Sequence, residues 1–247
     1  MKNKFKIDPS LKNKNLSQDI SEQLGFIYPS DVKSGVIVFV LLLFDLPLLL
    51  GLLSLASVKI AWVLSPFILL FHVWGVRFLM KNPYTTQFEM ILFTGSLGLM
   101  SSLSLFVIVQ GILLKKLELG PVYYLVTTLL FLIGFFVIAK YQINKLTKDP
   151  TIERKRSKIE RHLNSIGSAL LGSGGLGTMG YVSGQRLEPS FFATLVLIGF
   201  FMLFNFYIGA KFLLRFYFMK INPSFINYHP LSNKKKKKVL KQGIKLK

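Results

Sequence analysis

The sequence predicts an all-α, polytopic helical membrane protein of about six transmembrane helices, with both termini cytoplasmic. Three observations predict it. The chain is 51% hydrophobic over 247 residues, with a mean hydropathy of +0.49. Its apolar residues gather into runs that suit a bilayer, where a helix needs about 20 residues at 1.5 Å rise to cross a roughly 30 Å core. These runs are Gly35–Ala56, Ile60–Val76, Met90–Leu114, Val122–Ala139, Ile166–Val182 and Phe191–Ala210. The 31 Lys and Arg residues fall unevenly between them, with only Lys59, Lys115, Lys116 and Arg186 on one side and the other 27 on the opposite side. Cytoplasmic loops retain Lys and Arg, so the crowded side is the inner one.

This divides the chain into a cytoplasmic arm, residues 1–34, a transmembrane domain, 35–220, with a basic loop at 140–162, and a basic tail, 221–247. A net charge of +20 and a pI near 10.1 would suggest nucleic acid in a soluble protein. Here the excess flanks apolar runs, where an anionic inner leaflet accounts for it. The expected partners are therefore that leaflet and other membrane-protein subunits or further copies of the chain, not nucleic acid. The absence of Cys excludes disulfides, thiol nucleophiles and thiolate metal sites. The first thirty residues are polar, with no short apolar core before a small-residue cleavage site, so no cleaved signal peptide is expected.

In the arm, Leu16, Ile20 and Leu24 recur every four residues, the pattern of a short amphipathic helix on the membrane or against another cytoplasmic segment. Pro29, Ser30 and Asp31 read as a turn before the first span, with Ser30 or Asp31 as N-cap. Only Ser57–Lys59 separates the first two spans, which must form an antiparallel hairpin. Lys81-Asn82-Pro83-Tyr84 is a turn, because Pro restricts its predecessor and donates no amide. Spans three and four are joined by the short Lys115–Pro121.

Asp149-Pro150 reads as N-cap and N1 of a basic helix, with Glu153 in its first turn. In it Arg154, Lys155, Arg156 and Lys158 face anionic headgroups or a docking protein. The fifth run, within 164–184, is uncharged but poor in large apolar side chains. It crosses by charge parity, since otherwise Lys234, Lys235, Lys236, Lys237 and Lys238 would fall outside; a re-entrant hairpin is the alternative. Lys211 and Arg215, among aromatics at the end of span six, read as headgroup anchors, as does the tail's lysine run.

Asp45 is the sharpest single residue. It lies eleventh of 22 in its run, near the midplane, where an acid costs roughly 2.5–3.5 kcal/mol and must face other helices. Two residues on, Pro47 leaves the Leu43 carbonyl without its helical donor. An acid beside a helix break is the pattern of ion and proton sites in transporters. The plain alternative is a buried acid bonded to neighbouring hydroxyls. His72 lies about 18 Å from the outer end of its run and Asp45 about 15 Å from the inner end of its own, so a pair that relays a proton is geometrically open. The competing reading bonds His72 to a backbone carbonyl or a Ser. Asn205 joins this candidate ion or proton site, although it and Gln110 also read as inter-helix hydrogen-bonders.

Gly95 and Gly98 in span three, and Ser173, Gly177, Gly180 and Gly184 in or just past span five, have the spacing that brings membrane helices together. A pore or re-entrant lining is the functional version of that pattern. Gly175, Gly177 and Gly180 also fit G-x-G-x-x-G, but no strand precedes them and the match is dismissed. His72, His162 and His229 have no ligand spacing, and neither a catalytic constellation nor a cofactor site is found. The first expectation is therefore a non-enzymatic subunit or accessory of a transport, secretion or immunity assembly in a bacterial cytoplasmic membrane. A small ion- or proton-coupled transporter or channel using Asp45 comes second, and a membrane-embedded enzyme last.

Overall fold

The computed structural model describes residues 5–25, 27–49, 58–115, 121–147, 149–152 and 187–226. They form helices and connecting turns, with no strand among the described residues. A short arm helix, α1 (Gln18–Leu24), precedes α2 (Pro29–Val38), which continues through a π-helical segment, Phe39–Asp45, to Leu49. Four long helices follow: α3 (Val58–Met80), α4 (Pro83–Lys115), α5 (Pro121–Leu146) and α6 (Leu187–Ile221). Among the described residues, five helices are long and apolar enough to cross a membrane, the first over Asp31–Leu49. The fold is thus a polytopic helical membrane bundle.

Local chemistry explains the element ends. Pro29 sits at N1 of α2, with Tyr28 as N-cap. The helix therefore starts before the turn expected at Pro29–Asp31, because proline's fixed φ suits the first helical position and its missing amide has no partner to lose there. The α3–α4 turn is shorter than the sequence suggests. Asn82 caps α4, its Oδ1 accepting from the Tyr84 amide at 3.1 Å and its carbonyl from the Thr85 hydroxyl at 2.9 Å. Pro66 inside α3 frees the Trp62 carbonyl, and the Ser65 hydroxyl donates to it at 2.9 Å.

The centre of the bundle is α4, whose apolar stretch is 61% buried against 22% for α3 and 6% for α5. α6 runs antiparallel to α4 with the backbones in close approach. A Cβ on Gly98 would stand 2.7 Å from the Gly209 amide nitrogen, and one on Gly209 would stand 2.6 Å from that of Leu99. α5 is also antiparallel to α4, with Phe106 stacked on Phe131 at 4.4 Å and Gln110 Nε2 donating to Thr127 Oγ1 at 2.9 Å. It follows that α5 and α6 run the same way. They pair at Phe135–Phe206, 4.4 Å, and end together in one cluster that holds Leu146, Phe218 and Met219. The chain leaves α5 at one end of the bundle and enters α6 at the other. The expected crossing at Ile166–Val182 itself lies outside the described residues.

The arm packs over the end of the bundle where α5 and α6 finish. Phe5, Ile7, Ile20 and Leu24 are buried there with Ile91 and Phe225. Asn222 Nδ2 donates to the Phe5 carbonyl at 2.7 Å, and Ile7 donates its amide to Asn222 Oδ1 at 2.8 Å. Arg215 donates to the carbonyls of Gln23, at 2.9 Å, Glu22, at 3.3 Å, and Gly25. These are carbonyls at the C-terminal end of α1, which have no intrahelical donor. The Pro150 carbonyl accepts from the Ser17 amide at 2.7 Å, tying the turn after α5 to the arm. Asp149 does not open a helix among the described residues. It holds a turn, accepting from the Thr151 hydroxyl and amide at 2.6 and 2.9 Å, and these bonds keep its carboxyl below the usual carboxylate range.

Candidate functional site

The site is built on the break in α2. Pro47 cannot donate to the chain behind it, and the backbone before it widens into the π-helical segment that ends at Asp45. Such bulges are rare and concentrate at functional places. The Leu43 carbonyl, left without its α-helical donor, receives two replacements from other helices. Ser101 Oγ donates to it at 2.7 Å and Asn205 Nδ2 at 2.9 Å, and Asn205 also donates to Ser101 Oγ at 2.8 Å. All three residues are buried, so α2, α4 and α6 are joined at one freed carbonyl.

On the α3 side of the same break, His72 Nε2 lies 3.2 Å from Asp45 Oδ2. The other ring nitrogen, Nδ1, lies 2.7 Å from the Ile68 carbonyl. Phe44 holds the imidazole from one side, with ring centroids 6.3 Å apart, and Phe44 packs in turn on Phe71 at 5.6 Å. Each of the two readings of His72 is therefore realised at a different nitrogen.

The hydrogen-bond partners determine the proton count. A backbone carbonyl only accepts, so Nδ1 carries a hydrogen. The contact between Nε2 and Oδ2 then needs one proton, on either atom. With it on Oδ2 the pair is a carboxylic acid and a neutral imidazole; on Nε2 it is a carboxylate and an imidazolium. Both forms are neutral overall, which suits hydrocarbon. Removing that proton leaves one negative charge. The arrangement therefore has the geometry for one shared proton between Nε2 and Oδ2.

The pair is not sealed inside the bundle. The side chains of His72 and Asp45 are 41% and 18% exposed, and they form one end of a groove of about 180 Å³ between α2 and α3. The rest of the lining is apolar, with Val36, Val40 and Leu41 on one wall, Val76 and Leu79 on the other, and Gly75 between. On the packed helices, Arg77 and Glu89 are matched to each other. Arg77 Nη1 lies 2.7 Å from Glu89 Oε1, to which Trp74 Nε1 also donates at 3.2 Å.

Of the proposed ion-site residues, the structure brings Asp45, Pro47 and His72 to one place. Asn205 is at the same break but bonds to Leu43 and Ser101. Gly95 and Gly98 lie at the α4–α6 contact, whereas Ser173, Gly177, Gly180 and Gly184 fall outside the described residues. So do Arg154, Lys155, Arg156, Lys158 and the run Lys234, Lys235, Lys236, Lys237 and Lys238. Arg215 serves the carbonyls of the arm rather than standing free for headgroups. Lys211 lies near the Phe212 ring, 5.8 Å from its centroid. Sequence spacing does not assign Ser101, Gly75 or Gly209 to these roles. Gly209-Ala210 was a readable signal of close packing, but the other two need the helix register.

Fold and site together define a polytopic α-helical membrane protein with an acid–imidazole pair set in a broken helix. Comparison with protein-family models, with curated proteins and with solved structures gives no match.

Proposed function

We propose that the protein is a small proton-coupled membrane transporter or channel that uses Asp45 and His72 as its proton-binding site. The observation that carries this reading is the 3.2 Å contact between Oδ2 and Nε2, with Nδ1 fixed by Ile68, at a helix break inside apolar spans. The test is proton movement into vesicles that hold the purified protein and a trapped pH dye, under an imposed potential. Wild type should carry protons, and Asp45→Asn should fall to the level of empty vesicles. No flux in the wild type, or equal flux in both, would remove the proposal.

A second reading is a non-enzymatic subunit or accessory of a transport, secretion or immunity assembly. The uncovered surface of the first hairpin favours it, since α3 is 22% buried and Trp62, Val63, Leu69 and Val73 are all more than 60% exposed. Large uncovered apolar faces suit lipid and neighbouring subunits alike. Crosslinking in native membranes, followed by size measurement, separates the two. A lone monomer with no crosslinked neighbour would end the assembly reading and leave the proton reading untouched.

A further inference from the structure

Near the arm, the seam between α5 and α6 gathers cations around a buried amide. Gln142 of α5 lies two turns beyond Phe135, which packs on Phe206 of α6, and one turn before Leu146, which shares a cluster with Phe218 and Met219. Gln142 is therefore in the seam. It is 4% exposed, and its Nε2 has no hydrogen-bond acceptor among the described residues. Lys145 follows three residues later, and α6 carries Lys211 and Arg215 over the same interval. Lys145 and Arg215 are within electrostatic reach of Lys211, as is one acid, Glu22 of α1. Arg215 is engaged by the arm's carbonyls. Lys145 and Lys211 have no carboxylate at ion-pair distance among the described residues, where the pairs are His72–Asp45 and Arg77–Glu89. We propose that this seam binds one anionic phospholipid by its phosphate, with Lys145 and Lys211 as its cations and Gln142 Nε2 as a donor. The site is separate from Asp45 and His72 and does not depend on the proton reading.

The chemistry of the three side chains selects the ligand. Lys145 and Lys211 are half-buried, and both lie within the apolar stretches Tyr124–Leu146 and Leu197–Ile221. Two like charges held together away from bulk water repel, and an anion between them relieves both. A buried amide donor without an acceptor is also costly, and phosphate oxygens only accept. One phosphate answers all three groups. A zwitterionic headgroup would bring its own cation against the lysines, so the headgroup carries net negative charge. The seam also faces the right solvent for a lipid. The apolar stretch of α5 is 6% buried, and Phe136 and Val137, less than two turns before Gln142, are 66% and 61% exposed. That bare hydrocarbon surface on the same helix suits the acyl chains, which a soluble phosphate lacks.

Native mass spectrometry of the full chain, released from mild detergent with added lipid, tests this by counting the lipids that stay bound. Phosphatidylglycerol should be retained at one molecule per chain, about tenfold more tightly than phosphatidylcholine at equal concentration, the factor that one charge-assisted hydrogen bond supplies. Lys145→Gln and Lys211→Gln should each weaken that binding by about tenfold, and the double variant should lose the preference. Gln142→Leu keeps the side chain's bulk and removes the donor, so it should weaken binding about threefold. Lys220→Gln, which removes an exposed cation at the end of α6, should change nothing. Circular dichroism and gel filtration of each variant check that it is folded, and Lys220→Gln reports any effect of net charge alone. Equal retention of the two lipids would overturn the proposal. So would phosphatidylglycerol binding that survives the double variant, or that falls as far in Lys220→Gln as in Lys211→Gln. Inorganic phosphate is the last arm. It should leave the bound lipid in place, and displacement of the lipid by phosphate alone would put a soluble anion in the seam and overturn the lipid assignment.

Discussion

At the scale of single residues, the break in α2 presents different chemistry on two sides. Asn205 and Ser101 answer the carbonyl that Pro47 frees, and His72 answers the acid two residues before Pro47. The first is structural. Asn205→Leu should cost about 1–2 kcal/mol in reversible unfolding from lipid or mild detergent, the size of an inter-helix hydrogen bond plus a partly orphaned carbonyl. It should leave the His72–Asp45 contact in place. His72→Phe keeps the ring volume but removes both nitrogens, so proton flux should disappear while the helical circular dichroism signal stays unchanged. Much of this was legible in the sequence. The depth of Asp45, the opposite run of the first two spans and the orphaned Leu43 carbonyl all follow from spacing and from proline. What answers that carbonyl was not legible, because Ser101 and Asn205 lie 58 and 162 residues away and only the packed register brings them there.

Between elements, contact distance decides which glycines matter. Gly98 and Gly209 meet backbone to backbone, so Gly98→Ala must push α4 and α6 apart. That overpacking should cost about 1–3 kcal/mol. By contrast, a Cβ at Gly75 would meet Val36 at an ordinary 3.5 Å, so Gly75→Ala should be tolerated. Unfolding measurements on both variants check the contrast. The arm is latched by Arg215, and Arg215→Ala should speed protease cleavage within residues 5–25 with little change in the bundle. Composition alone cannot distinguish a cation that snorkels to headgroups from one that caps a helix, which is why the sequence assigned Arg215 to lipid. The turn at Asp149 supplies a pH dependence with a definite sign. Its carboxyl is held below the usual range by Thr151, so its contribution is present at neutral pH and is lost as pH falls through the depressed value. The Thr151 amide shift should therefore titrate with a midpoint below that of a free aspartate.

Over the whole molecule, the uneven basic residues and the helix directions make one topological argument from independent grounds. Charge counting expects an odd number of crossings between span four and the last span, and among the described residues α5 and α6 run parallel. The fold class was legible because hydrophobic length and charge placement are properties of segments. The site was legible only to the extent that two residues on adjacent helices can be aligned by depth, and its groove required the coordinates. The central claim is that one proton sits between Asp45 and His72, with Nδ1 permanently bonded to Ile68. Solid-state nitrogen NMR of histidine-labelled protein in lipid tests this most directly. Nδ1 of His72 should be protonated in every state, and the Nε2 signal should change on Asp45→Asn. A His72 that carries its hydrogen on Nε2, with a bare Nδ1, would contradict it.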